Sequence, residues 1–108
     1  MVIIDADGHA VDLEPVYRAR LPEQFRRRMQ IMPSDGFDRN QSGKLNRLPV
    51  TAEQNLRDND TEGIDLQIIY PTGGLFHSRL RDRELAIVMA QTYNDWLYDW
   101  CSIDRKRL

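Results

Sequence analysis

Residues 2–9 read Val2-Ile3-Ile4-Asp5-Ala6-Asp7-Gly8-His9, and this stretch decides the expected fold class. The three β-branched residues predict a short buried strand, and polar residues follow at its carboxyl end. Because side chains alternate along a strand, Asp5, Asp7 and His9 are expected on one face if the extended geometry continues. Asp7 and His9 would then offer a carboxylate oxygen and an imidazole nitrogen to the same ion.

This Asp-x-His pair suits a divalent metal ion. A carboxylate with an imidazole is compatible with Zn²⁺, Mn²⁺ or Fe²⁺, and the pair alone does not choose among them. The alternative interpretation is structural, because such a pair is common by chance and Asp5 could simply cap the strand end. The position favours the metal hypothesis, since α/β barrel enzymes place their active sites at the carboxyl ends of parallel strands.

A helix and a second strand are predicted further along the chain. The segment Thr51-Ala52-Glu53-Gln54 has the form of a capping box, which predicts a helix from about Ala52 to Glu62. Gly63 suits the left-handed position after such a helix. A strand is expected over residues 64–70, ending at Pro71, which cannot donate to a continuing ladder. The polar stretch from Pro33 to about Pro49 is predicted to be a long loop.

The strongest helix signal follows Asp82, a candidate N-cap. Apolar and aromatic residues then recur at spacings of three and four: Leu85, Val88, Met89, Thr92, Tyr93, Trp96, Leu97 and Trp100. This helix is expected to bury a wide face. An earlier helix near Pro22 would carry Leu21, Phe25 and Met29 four residues apart. The order β–loop–α–β–α is typical of parallel sheets in α/β folds.

Composition argues against several classes of partner. The chain is 30% charged with a formal net charge of −2, whereas a nucleic-acid-binding domain would normally be clearly basic. The run Arg26-Arg27-Arg28 is better interpreted as a solvated helix face than as a polyanion site. Cys101 is the only cysteine, so the chain cannot form an internal disulfide. The N-terminal segment resembles neither a signal peptide nor a membrane span, and a cytoplasmic location is expected.

Three segments together resemble a known family. These segments are residues 2–9, residues 62–72 and residues 90–97, the last followed by Cys101 and Arg107-Leu108. They are similar to the aminocarboxymuconate-semialdehyde decarboxylase-like branch of the amidohydrolase superfamily, also called amidohydrolase-2. Its members commonly begin with an apolar strand, an aspartate and a His-x-His metal pair. Asp7 falls on the first histidine of that pair and His9 on the second.

The resemblance implies an α/β fold in which residues 1–108 form the first βα units of a (β/α)8 TIM barrel. Such a barrel needs about 250 residues, so it would be incomplete in this chain. The resemblance also implies a divalent metal, zinc or manganese, with Asp7 and His9 as ligands. The implied reaction is hydrolysis or nonoxidative decarboxylation of a small carboxylic substrate, aromatic acids included. Further family ligands would lie beyond position 108, so this segment alone is expected to be inactive.

Three residues are predicted to contact the substrate. Tyr70 and Thr72 stand at the carboxyl end of the second strand, where barrel residues often meet substrate, and His77 lies in the loop that follows. The alternatives are packing or loop capping for Tyr70 and Thr72, and a solvated position for His77.

Two strands of a parallel sheet leave an open edge, which predicts a partner. The partner would be a second copy of the chain or the remainder of the barrel. Three hypotheses therefore remain open at this point. The chain is part of a metal-dependent enzyme, or an interaction module or split-enzyme half docking through its sheet edge, or an unrelated small α/β domain in which Asp7 and His9 are structural.

Overall fold

The structure is a computed structural model that describes residues 1–12, 14–29 and 50–108. Its elements, in chain order, are β1 (Ile4–Ala10), α1 (Glu14–Arg20), α2 (Glu23–Arg26), α3 (Ala52–Glu62), β2 (Leu66–Pro71), the 3-10 helix η1 (Gly73–Arg79), α4 (Arg83–Trp100) and the 3-10 helix η2 (Cys101–Ile103). The loop predicted from Pro33 to Pro49 lies outside the described residues.

The two strands pair in parallel, as the sequence predicts, from Ile4 opposite Leu66 to Ala10 opposite Pro71. The ladder is not regular. Between Asp5 and Gly8 the register shifts, so that three steps along β1 face two steps along β2. This is the geometry of a β-bulge, which interrupts the alternation of side chains and re-aims those beside it.

The expectation of (β/α)8 barrel units is wrong. The described residues form a small α/β arrangement with a two-stranded parallel sheet. In a barrel, each helix buries its apolar face against the strands. Here the buried apolar cluster lies between helices and, within the described ranges, contains no strand residue; its members are Tyr17, Leu21, Phe25, Met29, Leu85, Met89 and Tyr93.

The prediction of a buried opening strand is also wrong. Val2, Ile3 and Ile4 are exposed, Val2 by 70%. The strand begins only at Ile4 and continues through the polar residues to Ala10. The physical reason is that the buried apolar cluster of the described residues lies where α1, α2 and α4 pack on one another, and it includes none of these three residues.

Local helix signals in the sequence are confirmed. Thr51 caps α3, since its Oγ1 accepts from the backbone N–H of Gln54 at 3.2 Å. The glutamine side chain donates to a carboxylate one turn later and does not reach back, so half of the capping box forms. Gly63 ends the helix with a φ of 73°, a left-handed conformation that glycine adopts readily. Asp82 caps α4 through a 3.1 Å bond from the N–H of Leu85.

The 18-residue helix α4 is the largest contributor to the apolar core. It buries Leu85, Met89 and Tyr93 against α1 and the segment around α2, and Trp96 packs partly buried at the margin. Arg28 bridges α2 to the start of this helix through Asp82, with its Nη2 2.6 Å from Oδ2. No helix within the described parts of the chain has both the length and the apolar character needed to cross a bilayer.

The core predicts a large penalty for truncation at Leu85, which is 1% exposed. Leu85→Ala should lower the free energy of unfolding by about 2–5 kcal/mol, because it removes buried methyl groups and leaves a cavity. Urea denaturation monitored by circular dichroism measures this change. Ile87 lies on the same helix but is 60% exposed, so Ile87→Ala is the matched control. Equal losses in the two variants would contradict the assignment of the core.

Candidate functional site

The Asp7–His9 pair lies towards the carboxyl end of β1. Asp7 Oδ1 is 3.7 Å from His9 Nε2, and the two side chains are 91% and 38% exposed. A tetrahedral metal site with ligand bonds of about 2.1 Å separates neighbouring donor atoms by about 3.4 Å. The two donor atoms are therefore close to the spacing at which they could bind a single ion.

Pro71 orients the His9 ring from the neighbouring strand. The Nδ1 atom of His9 lies 2.9 Å from the backbone carbonyl oxygen of Pro71. With the proton on Nδ1, this contact is a hydrogen bond and the lone pair of Nε2 remains free on the side of Asp7. Metal-binding histidines in proteins are usually oriented in this way, by donating the other ring N–H to a carbonyl or carboxylate.

Asp5 does not join the pair. Its Oδ2 accepts from Gln67 Nε2 at 2.7 Å, and its Oδ1 accepts from the backbone N–H of Asp7 at 3.0 Å. The register shift between Asp5 and Gly8 interrupts the regular ladder on which the shared face of Asp5, Asp7 and His9 was predicted. The hydrogen bond from Gln67, together with that from the Asp7 amide, holds the pKa of the Asp5 carboxyl below its usual value.

The three predicted substrate residues separate into two places. Tyr70 stands beside the pair, with its ring centroid 6.3 Å from that of His9, and is 45% exposed. Thr72 donates its hydroxyl proton to the carbonyl of Ala10 at 3.1 Å. His77 is half-buried, and its ring packs edge-on against Tyr17 at 5.2 Å. The structure therefore brings Tyr70 to the pair and directs Thr72 and His77 into a separate cluster.

That cluster is centred on Asp12, which sequence reasoning missed. Asp12 is 3% exposed, and its carboxylate accepts from the backbone N–H groups of Thr72, Gly73 and Gly74, each at 2.7 Å. It also accepts from the Tyr17 hydroxyl. Consecutive backbone N–H groups of this kind form an anion-binding concavity. The Thr-Gly-Gly turn after a strand was the sequence signal that could have indicated such an acceptor.

Burial shapes the titration of the groups around Asp12. Desolvation, reinforced by the bond to Asp12, raises the pKa of Tyr17. Desolvation likewise raises the pKa of Tyr93 and lowers that of His77. The buried Nε2 of His77 and hydroxyl of Tyr93 have no hydrogen-bond partner among the described residues. This environment favours neutral rings, and the cluster joins the ends of the strands to the helical core.

The described ranges contain no group of three or more His, Cys, Asp or Glu side chains that could hold a metal. A metal hypothesis therefore rests on the two ligand atoms of the Asp7–His9 pair. In comparisons with known proteins, no family model and no curated protein matches the chain. The amidohydrolase resemblance therefore stays a prediction from the residues that carry it.

Removing the Asp12 carboxylate should strongly destabilise the fold. Asp12→Ala leaves three part-buried backbone donors without their acceptor, so we expect a loss of about 2–4 kcal/mol in the free energy of unfolding. Asp12→Asn keeps one acceptor oxygen and should lose less. Hydrogen exchange at the amides of Thr72, Gly73 and Gly74 should accelerate in both variants. Unchanged exchange at these three amides would contradict the role of Asp12.

His77 should make stability depend on pH. Its pKa in the folded protein lies below the ordinary value of 6.5, so the unfolded chain binds the proton first as the pH falls. The contribution of His77 is present above the ordinary value and is lost as the pH falls towards the folded value. Urea denaturation at about pH 7.5 and about pH 5.5 should show a smaller pH dependence in His77→Gln than in the unaltered protein. Equal dependence in the two proteins would contradict this prediction.

Proposed function

We propose that the Asp7–His9 pair binds a divalent metal ion, with zinc and manganese as the candidates. The ligand atoms would be Asp7 Oδ1 and His9 Nε2. The observation that carries the proposal is the combination of their 3.7 Å spacing with the contact between His9 Nδ1 and the Pro71 carbonyl. That contact leaves the lone pair of Nε2 free to bind a metal ion.

The donor set fits these metals. A carboxylate oxygen and an imidazole nitrogen suit Zn²⁺ and Mn²⁺. A divalent ion held here would supply Lewis-acid polarisation of a substrate oxygen. Catalytic zinc sites normally use three protein ligands, so a further ligand would come from outside the pair.

We infer that the chain contributes this pair to a metal-dependent hydrolase or nonoxidative decarboxylase. The substrate class is a small carboxylic acid, aromatic acids included, which is what the amidohydrolase resemblance of residues 2–9 implies. Tyr70 supports this class, because its exposed ring beside His9 offers a face or edge for an aromatic substrate. A cytoplasmic location accords with a chain that has a single cysteine.

A partner chain is the proposed source of the missing ligand. Ile4 and Ile68 on the sheet are 55% and 44% exposed, and covering them would favour association. The same exposed residues favour a second candidate function, in which the chain is a non-catalytic interaction module that docks through its sheet. Metal-independent self-association of a variant that no longer binds metal would favour the module over the enzyme.

Metal titration tests the proposed site. The unaltered protein should bind Zn²⁺ or Mn²⁺ in isothermal calorimetry, and Asp7→Ala and His9→Ala should each weaken binding by more than about tenfold, because each removes a ligand. His77→Ala is the matched control, since it removes the other histidine of the chain and should leave affinity unchanged. Binding that survives His9→Ala undiminished would refute the site.

A further inference from the structure

We propose that Gln67 is a positioning residue for the Asp7–His9 pair and acts on it through Asp5. This inference rests on the proposed metal site. It adds a series of hydrogen bonds that runs from helix α3 through Gln67 and Asp5 to the backbone of Asp7. Gln67 lies in β2 and is 9% exposed, and it ligates nothing in the proposed site. Its role is to fix the local conformation of β1.

Gln67 reaches β1 across Gly8. A Cβ atom added to Gly8 would collide with the Cγ and Cδ atoms of the Gln67 side chain. A glycine at this position therefore allows the glutamine to lie against the neighbouring strand. This close approach puts the side-chain amide beside the bulge.

The orientation of that amide is fixed from both ends. The Gln67 Oε1 atom accepts from Asn55 Nδ2 at 2.7 Å and from Asn59 Nδ2 at 3.4 Å. Both asparagines lie on α3, and Asn59 is 4% exposed. Because the ionised carboxylate of Asp5 can only accept, the carbonyl of Gln67 must face the helix. Its NH2 group then faces Asp5, to which it donates at 2.7 Å.

Asp5 transmits this constraint to the proposed ligand. One carboxylate oxygen of Asp5 is held by Gln67, and the other accepts from the backbone N–H of Asp7 at 3.0 Å. Bonds from an aspartate to the backbone two residues on stabilise turn-like conformations. Here the bond lies within the register shift that precedes Gly8. The bond holds the backbone at Asp7, whose carboxylate Oδ1 lies 3.7 Å from His9 Nε2.

The simpler alternative is that these bonds only satisfy buried polar groups, as most such groups require. The two roles differ in what they predict for a metal at Asp7 and His9. If the role is only structural, replacing Gln67 would change the stability of the protein and nothing at the metal. If Gln67 is a positioning residue, its replacement would also change the coordination geometry and the affinity of the bound ion. This effect would occur only while Asp5 is present.

The test uses Co²⁺, whose visible absorption reports its coordination geometry. Gln67→Met keeps the side-chain length and removes the amide, so Co²⁺ affinity should fall by about 10–100-fold, with a changed spectrum. Leu85→Val lowers stability in the helical core and should leave both affinity and spectrum unchanged. Asn55→Ala removes one anchor of the amide and should cause a smaller loss in the same direction. Unaltered Co²⁺ binding by Gln67→Met would overturn the proposal.

A double-mutant cycle tests whether Gln67 acts through Asp5. In an Asp5→Ala background, Gln67→Met should cause no further loss of Co²⁺ affinity, because the two residues belong to one chain of hydrogen bonds. A loss in that background as large as in the unaltered protein would overturn the proposal. If Gln67→Met does not fold, Asn55→Ala takes its place in the cycle under the same criteria.

Failure of the metal site itself is distinguishable. If the unaltered protein does not bind Co²⁺, the proposed function is wrong, and the positioning role is decided on the metal-free protein by nuclear magnetic resonance. Nuclear Overhauser contacts between the Asp7 β-protons and the His9 ring should be present in the unaltered protein and absent in Gln67→Met. Their persistence in the variant, or their absence from the unaltered protein, would overturn the proposal.

Discussion

The arrangement of both strand ends depends on one buried carboxylate. Asp12 follows β1 and holds three successive backbone N–H groups that follow β2. A buried carboxylate is costly unless its oxygens are fully hydrogen-bonded, and the turn at residues 72–74 together with Tyr17 supplies those bonds. The carboxylate therefore fixes where β2 ends relative to β1. It also joins the strand ends to the helical core, because Tyr17, a member of that core, donates its hydroxyl proton to Asp12.

The molecule divides its stabilising interactions between two regions of different chemistry. Apolar burial is concentrated where α4 meets α1 and α2, with Leu21 and Leu85 almost fully buried. Between α3 and the sheet, Asn55 and Asn59 instead donate amide hydrogen bonds to Gln67. Hydrogen bonds are directional whereas apolar burial is not. The candidate site lies beside this hydrogen-bonded region, to which Asp5 connects it.

Sequence reasoning succeeded where the determinants are local and failed where they are distant. The caps at Thr51 and Asp82 and the left-handed Gly63 depend on neighbours within a few residues, and the structure confirms all three. Asp5, where the register shift begins, accepts a hydrogen bond from Gln67, 62 residues away, and strand periodicity could not reveal this contact. The exposure of Val2 to Ile4 likewise depends on how the helices pack. Motif spacing proposed Asp7 and His9 as neighbours, whereas the Thr-Gly-Gly turn indicates an acceptor without identifying Asp12, about 60 residues earlier, as that acceptor.

A single peptide unit connects the buried carboxylate with the candidate site. The group between Pro71 and Thr72 donates its N–H to Asp12 and presents its C=O to His9. An amide that donates to an anion becomes more polarised, and its oxygen gains electron density. A carbonyl oxygen that accepts more strongly polarises the Nδ1–H bond of His9. The electron density at Nε2, the other ring nitrogen, then increases. The negative charge of Asp12 can thus make His9 a stronger electron-pair donor by induction through the backbone, without touching the imidazole.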